Sequence, residues 1–175
     1  MDPAVWFSLF VLFFAGGLTP GPAVMLTLAS ALKYGFRLAM VAALGIAAAN
    51  LVWISLAASG AGALAKAFPD VFMALKLLGL CFIGWLAFSM AFGKDAARRV
   101  EARDAPPRAV LFGRGVGLQL ANPNALVFFG GMLPAFFDPV SPLGPQVAFV
   151  IITITLTELF GLAIYAAAAK ALART

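Results

Sequence analysis

Residues 3–32 read PAVWFSLFVLFFAGGLTPGPAVMLTLASAL, an uncharged run with Thr19-Pro20-Gly21-Pro22 set near its middle. The run is long enough to cross a bilayer, which takes roughly 20 mostly apolar residues in a helix. The four residues at its centre cannot continue that helix, because each proline lacks an N–H and clashes with the preceding turn while Gly21 adds backbone freedom. At ~1.5 Å per residue the interruption lies roughly 17 Å along the chain from Lys33. That is near the middle of a hydrocarbon layer ~30 Å thick. The run therefore reads as one broken membrane-spanning helix, not as two surface helices joined by a loop.

The rest of the chain agrees. Of 175 residues 63% are hydrophobic and 11% charged, where globular chains carry roughly a quarter charged residues. Seventeen Phe, six Met and 12 Lys+Arg against 7 Asp+Glu leave too little polar surface to wrap a water-soluble core. This composition specifies an all-α, polytopic membrane protein surrounded by the lipid bilayer. One Cys excludes a disulfide framework, and the absence of His removes the usual general base and the commonest metal ligand. The chain is thus not expected to be an enzyme, to hold a metal or cofactor, or to bind nucleic acid.

Charge-free stretches mark five expected spans at about 4–31, 38–64, 71–93, 112–137 and 144–169. The third includes Lys76 and the fifth Glu158. Between the third and fourth, the segment Lys94 to Arg114 carries six Lys/Arg, three Asp/Glu and Pro106-Pro107, the composition of a solvated linker. We read a single transmembrane domain over 1–175: repeat one at 1–93, a charged cytoplasmic linker at 94–111, and an incomplete repeat two at 112–175. Ten of the 12 Lys and Arg fall in the first loop, the linker and the C-terminal tail, whereas Lys66 and Lys76 lie on the other side. Since basic residues are retained in the cytoplasm, the N-terminus is expected outside and the C-terminus inside. The start, Met1-Asp2-Pro3, lacks the basic region of a cleaved signal peptide.

A second break, Ala121-Asn122-Pro123-Asn124, falls in span four. In both breaks a capping-type residue, Thr19 or Asn122, precedes a proline suited to a first helical turn, so each predicts the start of a second half-helix. Span one runs inward and span four outward in this topology. The two new helix starts therefore face the midplane from opposite sides, each with unpaired N–H groups and a positive dipole end. Such a pair suits an anion, and a substrate carboxylate is the obvious candidate. An odd number of spans per repeat would invert the second repeat on the first, an arrangement used for alternating access.

Thr19-Pro20-Gly21-Pro22, Lys33-Tyr34-Gly35, Gly45 to Trp53, Lys76-Leu77-Leu78-Gly79 through Trp85-Leu86, and Asn122-Pro123-Asn124-Ala125 leading to Phe128-Phe129 and Pro134-Ala135-Phe136 appear in this order along nearly the whole chain. Together they resemble the LysE/RhtB family of amino-acid exporters. The resemblance implies efflux of a small amino acid or derivative across the bacterial inner membrane, driven by an ion gradient. The chain departs from that family at Asn124, where a Lys is usual. Relatives also usually continue to a sixth hydrophobic segment, where this chain reaches Thr175. The sixth helix is thus missing from the inverted 3+3 pattern, and a homo-oligomer is one way to supply the absent packing surface.

Few polar residues lie inside the spans. Glu158 sits near mid-bilayer, where an ionisable group is costly and functional by default. It is expected to carry a coupling proton or to pair with a substrate ammonium. Asn50, in the repeat counterpart of span five, is placed to reach the same cavity or to bond a neighbouring helix. Thr153, Thr155 and Thr157 read mostly as packing. Trp6, Trp53 and Trp85 read as anchors or packing, and Cys81 as inert. Lys76 is close enough to a span end to snorkel to the interface. Gly113, Gly117, Gly79 and Gly84 are expected at close helix contacts.

The expectation is therefore an amino-acid exporter with proton antiport. Its substrate would be held at Thr19, Pro20, Gly21, Pro22, Asn50, Asn122, Pro123 and Asn124, with the proton on Glu158. Two other classes fit parts of the pattern: a divalent-cation exporter, for which one intramembrane acid is a thin ligand set, and a non-transporting structural bundle, which leaves two opposed breaks unexplained.

Overall fold

A computed structural model describes residues 3–18, 21–59, 70, 105–138 and 140–172. The described residues are helical, with no strand among them. In chain order the helices are α1 (Pro3–Leu18), α2 (Pro22–Tyr34), α3 (Phe36–Ala58), α4 (Arg108–Leu120), α5 (Pro123–Phe136) and α6 (Leu143–Leu172). Two of them, Phe36–Ala58 of α3 and Leu143–Ala169 of α6, are each long and apolar enough to cross a membrane unaided. The other expected spans at this end of the reading are each made of two pieces: α1 and α2 for 4–31, α4 and α5 for 112–137. Span 71–93, with Lys76, Gly79, Cys81, Gly84 and Trp85, lies outside the described residues.

The two unbroken helices organise the bundle. One buried cluster gathers Leu9 of α1, Ile54 of α3, Phe129 and Leu133 of α5, and Val150 and Ile154 of α6. A second gathers Val24 and Leu26 of α2, Ala42 and Ile46 of α3, Leu118 of α4 and Leu162 of α6. The helix pairs α1–α2 and α4–α5 thus each give one helix to each cluster, whereas α3 and α6 run through both. On α3 the order is Ile46, Asn50, Ile54; on α6 it is Ile154, Glu158, Leu162. The apolar residues one turn either side place a polar group between the clusters on each helix. The two helices run antiparallel, since Ile54 meets Ile154 while Ile46 meets Leu162.

Helix α4 lies backbone to backbone on α3. A Cβ on Gly45 would overlap the Phe112 carbonyl, and a Cβ on Gly115 the Ala42 carbonyl. This close approach corrects the expectation for Gly113 and Gly117, beside which a Cβ would meet nothing within 4 Å. Glycines at 113, 115 and 117 alternate around a helix of 3.6 residues per turn, and only the middle one faces α3.

Two further features shape the second broken span. After Asn122-Pro123 the helix turns α-helically only through Ala125, then widens to a π-helix at Leu126–Met132 and tightens to a 3-10 turn at Leu133–Phe136. Pro134 has no N–H to give an α-helical bond, and the Leu133 N–H bonds Phe128 instead, five residues back. Beyond it, Gln146 ties down the loop into α6. Its Oε1 accepts from the Asp138 N–H at 2.8 Å and its Nε2 donates to the Asp138 and Ser141 carbonyls at 3.0 and 3.1 Å. The Ser141 hydroxyl and the Val140 N–H hold the Asp138 carboxyl below its ordinary range.

Candidate functional site

Between the two clusters the bundle holds a cavity of about 380 Å³. The two helix breaks meet there: Gly21 to Val24 on one side, Asn122, Asn124 and Ala125 on another, with Glu158 of α6 as the ionisable group. Leu12 and Phe13 of α1, Phe128 and Phe129 of α5, and Leu162 of α6 complete an apolar wall. Phe13 stands edge-on to Phe128 with ring centroids 4.5 Å apart, a geometry that aromatic pairs favour.

The breaks are built differently. Helix α2 starts on Pro22, with Gly21 as its N-cap residue at φ −140° and ψ −176°, and no side chain bonds its first-turn N–H groups. The Met25 N–H bonds the Gly21 carbonyl at 2.9 Å, leaving Ala23 and Val24 N–H without an acceptor among the described residues. Thr19 and Pro20, the start expected from sequence, lie outside those residues; the described helix starts at Gly21-Pro22. Either proline suits a first helical position. At α5 the expectation matches the geometry: Asn122 is the N-cap residue, Pro123 opens the helix, and the Asn122 side-chain oxygen accepts the Asn124 N–H at 3.0 Å.

From that cap a line of amides leads to the carboxylate. Asn122 Nδ2 donates to Gln119 Oε1 at 3.3 Å, Gln119 Nε2 donates to Asn50 Oδ1 at 2.7 Å, and Asn50 Nδ2 donates to Glu158 Oε2 at 2.6 Å. Asn50 is fully buried, and Gln119 and Asn122 are nearly so, which makes every one of these bonds costly to lose. Trp53 adds a bond from Nε1 to the Gln119 backbone carbonyl at 3.2 Å, satisfying an acceptor at the broken end of α4.

The structure thus brings Gly21, Pro22, Asn122 and Asn124 to one cavity with Glu158, and bonds Asn50 to Glu158 from behind the cavity wall. Pro123 is buried at the start of α5. Sequence reading missed Gln119, the link between Asn50 and Asn122. The available signal was its place three residues before Asn122, one helical turn back inside an apolar span. Thr153, Thr155 and Thr157 do not line the cavity. Thr157 donates to the Thr153 carbonyl at 2.7 Å, and Thr153 Oγ1 receives the Trp6 N–H at 2.9 Å.

Broken helices whose starts meet at a mid-span carboxylate define a helical membrane protein with a central polar site. The family model for LysE type translocators matches residues 14–175, and the chain belongs to that family. It is 30% identical over 140 residues to a leucine efflux protein of Klebsiella pneumoniae, a match covering 79% of this chain and 66% of that protein. A leucine efflux protein of an Enterobacter strain is 29% identical over 143 residues, again 79% and 66% of the two chains. An uncharacterized membrane protein of Vibrio cholerae is 27% identical over 177 residues, covering 99% of this chain and 85% of that protein. The chain therefore matches just under two thirds of the length of the leucine efflux proteins. No solved structure matches it.

Proposed function

We propose that this protein exports a neutral amino acid, leucine or a close analogue, across the bacterial inner membrane in exchange for protons. The observation that carries the reading is the convergence of two helix starts and one carboxylate on a cavity walled by Leu12, Phe13, Phe128 and Phe129. The N–H groups of Ala23 and Val24, which have no acceptor among the described residues, suit the substrate carboxylate. Glu158 suits its ammonium, and the aromatic wall suits an aliphatic side chain. A dibasic substrate would need a second acid, and Glu158 is the one acidic side chain among the described cavity residues. The relatives named as leucine efflux proteins point the same way.

The transport cycle follows from the same parts. The antiparallel pairing of Ile46-Asn50-Ile54 with Ile154-Glu158-Leu162 is what an inverted repeat gives. Helix α4 runs parallel to α3, with Phe112 beside Gly45 and Gln119 beside Trp53, so Ala58 and Arg108 lie at opposite ends of the bundle. A third span at 71–93 accounts for that placement and completes five spans, with the N-terminus outside and the C-terminus in the cytoplasm. Rocking of the half-helices about α3 and α6 would then open the cavity to each side in turn. Export is tested by feeding cells a leucine-containing dipeptide. Cells lacking the protein are expected to accumulate leucine, and unchanged pools for every amino acid would overturn the reading. In proteoliposomes Glu158→Gln is expected to abolish concentrative export and its pH dependence while leaving the folded protein intact.

A further inference from the structure

We propose that Gln119 is a positioning residue that, through Asn50, commits one oxygen of Glu158 to a fixed hydrogen bond and so makes the substrate ammonium and the coupling proton compete for the other. The inference rests on the amino-acid and proton exchange proposed above and specifies how the two are linked.

The argument is one of donor and acceptor accounting. A backbone N–H can only donate, so the Asn124 N–H fixes the Asn122 oxygen toward itself and turns Asn122 Nδ2 the other way. Nδ2 can only donate as well, and it meets the Gln119 oxygen. That leaves Gln119 Nε2 to face the Asn50 oxygen. Asn50 Nδ2 must then face Glu158 Oε2. Each amide has one orientation because its neighbour has one, and the orientation is set at the start of α5, three hydrogen bonds from the carboxylate. Glu158 Oε2 is thereby an obligatory acceptor. A proton placed on it would set a donor against the Asn50 NH₂, so the proton belongs on Oε1.

Oε1 has no donor among the described residues, and Glu158 lines the cavity. The ammonium of a bound amino acid needs that same oxygen. Among the described residues no other ionisable group lines the cavity to share the proton. On α2 the ionisable residues are Lys33 and Tyr34, on α3 Arg37, on α4 Arg108 and Arg114, and on α6, besides Glu158, Tyr165 and Lys170. Lys33, Arg37, Arg108 and Arg114 are exposed, neither tyrosine lines the cavity, and Lys170 follows Glu158 by 12 residues, about 18 Å of helix rise. Described α1 and α5 carry none. Release of the substrate therefore precedes protonation of Glu158, and deprotonation precedes the next substrate, which is exchange one for one. Without Gln119, Asn50 is free to turn its oxygen to the carboxyl group, Oε2 can take the proton, and competition relaxes.

The test uses the full chain in proteoliposomes, with leucine as probe, and measures half-saturation as a function of pH on the loading side. On the acid limb the wild type is expected to lose apparent affinity about tenfold per pH unit, the limit for competition between one proton and one ligand. In Gln119→Met the loss is expected to fall to about threefold per unit or less. Gln119→Asn, one methylene shorter, keeps the polarity but loses the reach to Asn50, and serves where the methionine variant does not give a monodisperse folded protein. Proton release on adding leucine to the detergent-solubilised protein is the second readout: it is expected in the wild type and reduced in both variants. Identical pH slopes and proton release in folded variants would overturn the inference alone. Absence of flux and of proton release for every neutral amino acid in the wild type would overturn the export reading, and this inference with it.

Discussion

The two helix breaks solve one problem in opposite ways. Both separate a pair of helices with a proline, and both restart a helix at the cavity. At α5 the protein closes the break itself: Asn122 caps the Asn124 N–H and hands its own amide on to Gln119. At α2 no side chain caps the first turn, and the N–H groups of Ala23 and Val24, two residues that line the cavity, have no acceptor among the described residues. In a medium without water an unsatisfied N–H costs several kcal/mol, so an open helix start is kept only where something else fills it. The difference teaches which break holds the structure and which is available to a ligand.

The largest effect is expected where the capped break is clamped to the rest of the bundle. Gly115 lets α4 lie on the backbone of α3, and a Cβ there would overlap the Ala42 carbonyl, which cannot move without moving the helix. Gly115→Leu is therefore expected to separate the two helices, tear Gln119 from Asn50, and lower stability by more than the ~1–3 kcal/mol usual for overpacking. Thermal unfolding in detergent would show it. Gly113→Ala is the control: a Cβ there meets nothing, so the variant is expected to match the wild type or gain up to about 1 kcal/mol from its lower unfolded-state entropy. Equal losses for both would mean that α4 does not pack on α3 as described.

The next effect comes from making the closed break resemble the open one. Asn122→Ala removes the cap, worth about 1 kcal/mol, and strands the Gln119 oxygen, which adds about 1–3 kcal/mol for a buried unpaired group. Export is expected to fall along with stability, because the amide line to Glu158 loses its fixed end. A variant that melts like the wild type would show that the cap is not a structural element.

These contrasts also mark what the sequence could and could not reveal. Both breaks were legible, because proline's missing N–H is a property of the residue and needs no partner. The pairing of Asn50 with Glu158 agrees with the expectation that Asn50 reaches the same cavity or bonds a neighbouring helix. The choice between Pro20 and Pro22 was not legible, since each can occupy a first helical position and only the packed structure decides. Gln119 was invisible for another reason. An amide in an apolar span has no spacing rule of its own, and its importance comes from Asn50, 69 positions away in the chain. Glycines 113, 115 and 117 show the same limit. Three small residues at alternate positions cover opposite sides of a helix, and the neighbour that picks one of them lies in another span.

The smallest effect should run in the opposite sense, and it separates stability from transport. Gly21 sits at φ −140°, extended backbone that any residue adopts, so Gly21→Ser needs no rearrangement of the chain. The serine hydroxyl supplies the oxygen that this helix start lacks and should bond the Ala23 or Val24 N–H, as Asn122 does at α5. A cap of this kind is worth only a few tenths of a kcal/mol relative to glycine, seen as a slight rise in melting temperature. If those N–H groups are where a substrate carboxylate binds, the same hydroxyl competes with it, and half-saturation for leucine should rise while the protein becomes no less stable. A gain in stability with unchanged half-saturation would place the carboxylate elsewhere and leave the open start of α2 without a ligand to explain it.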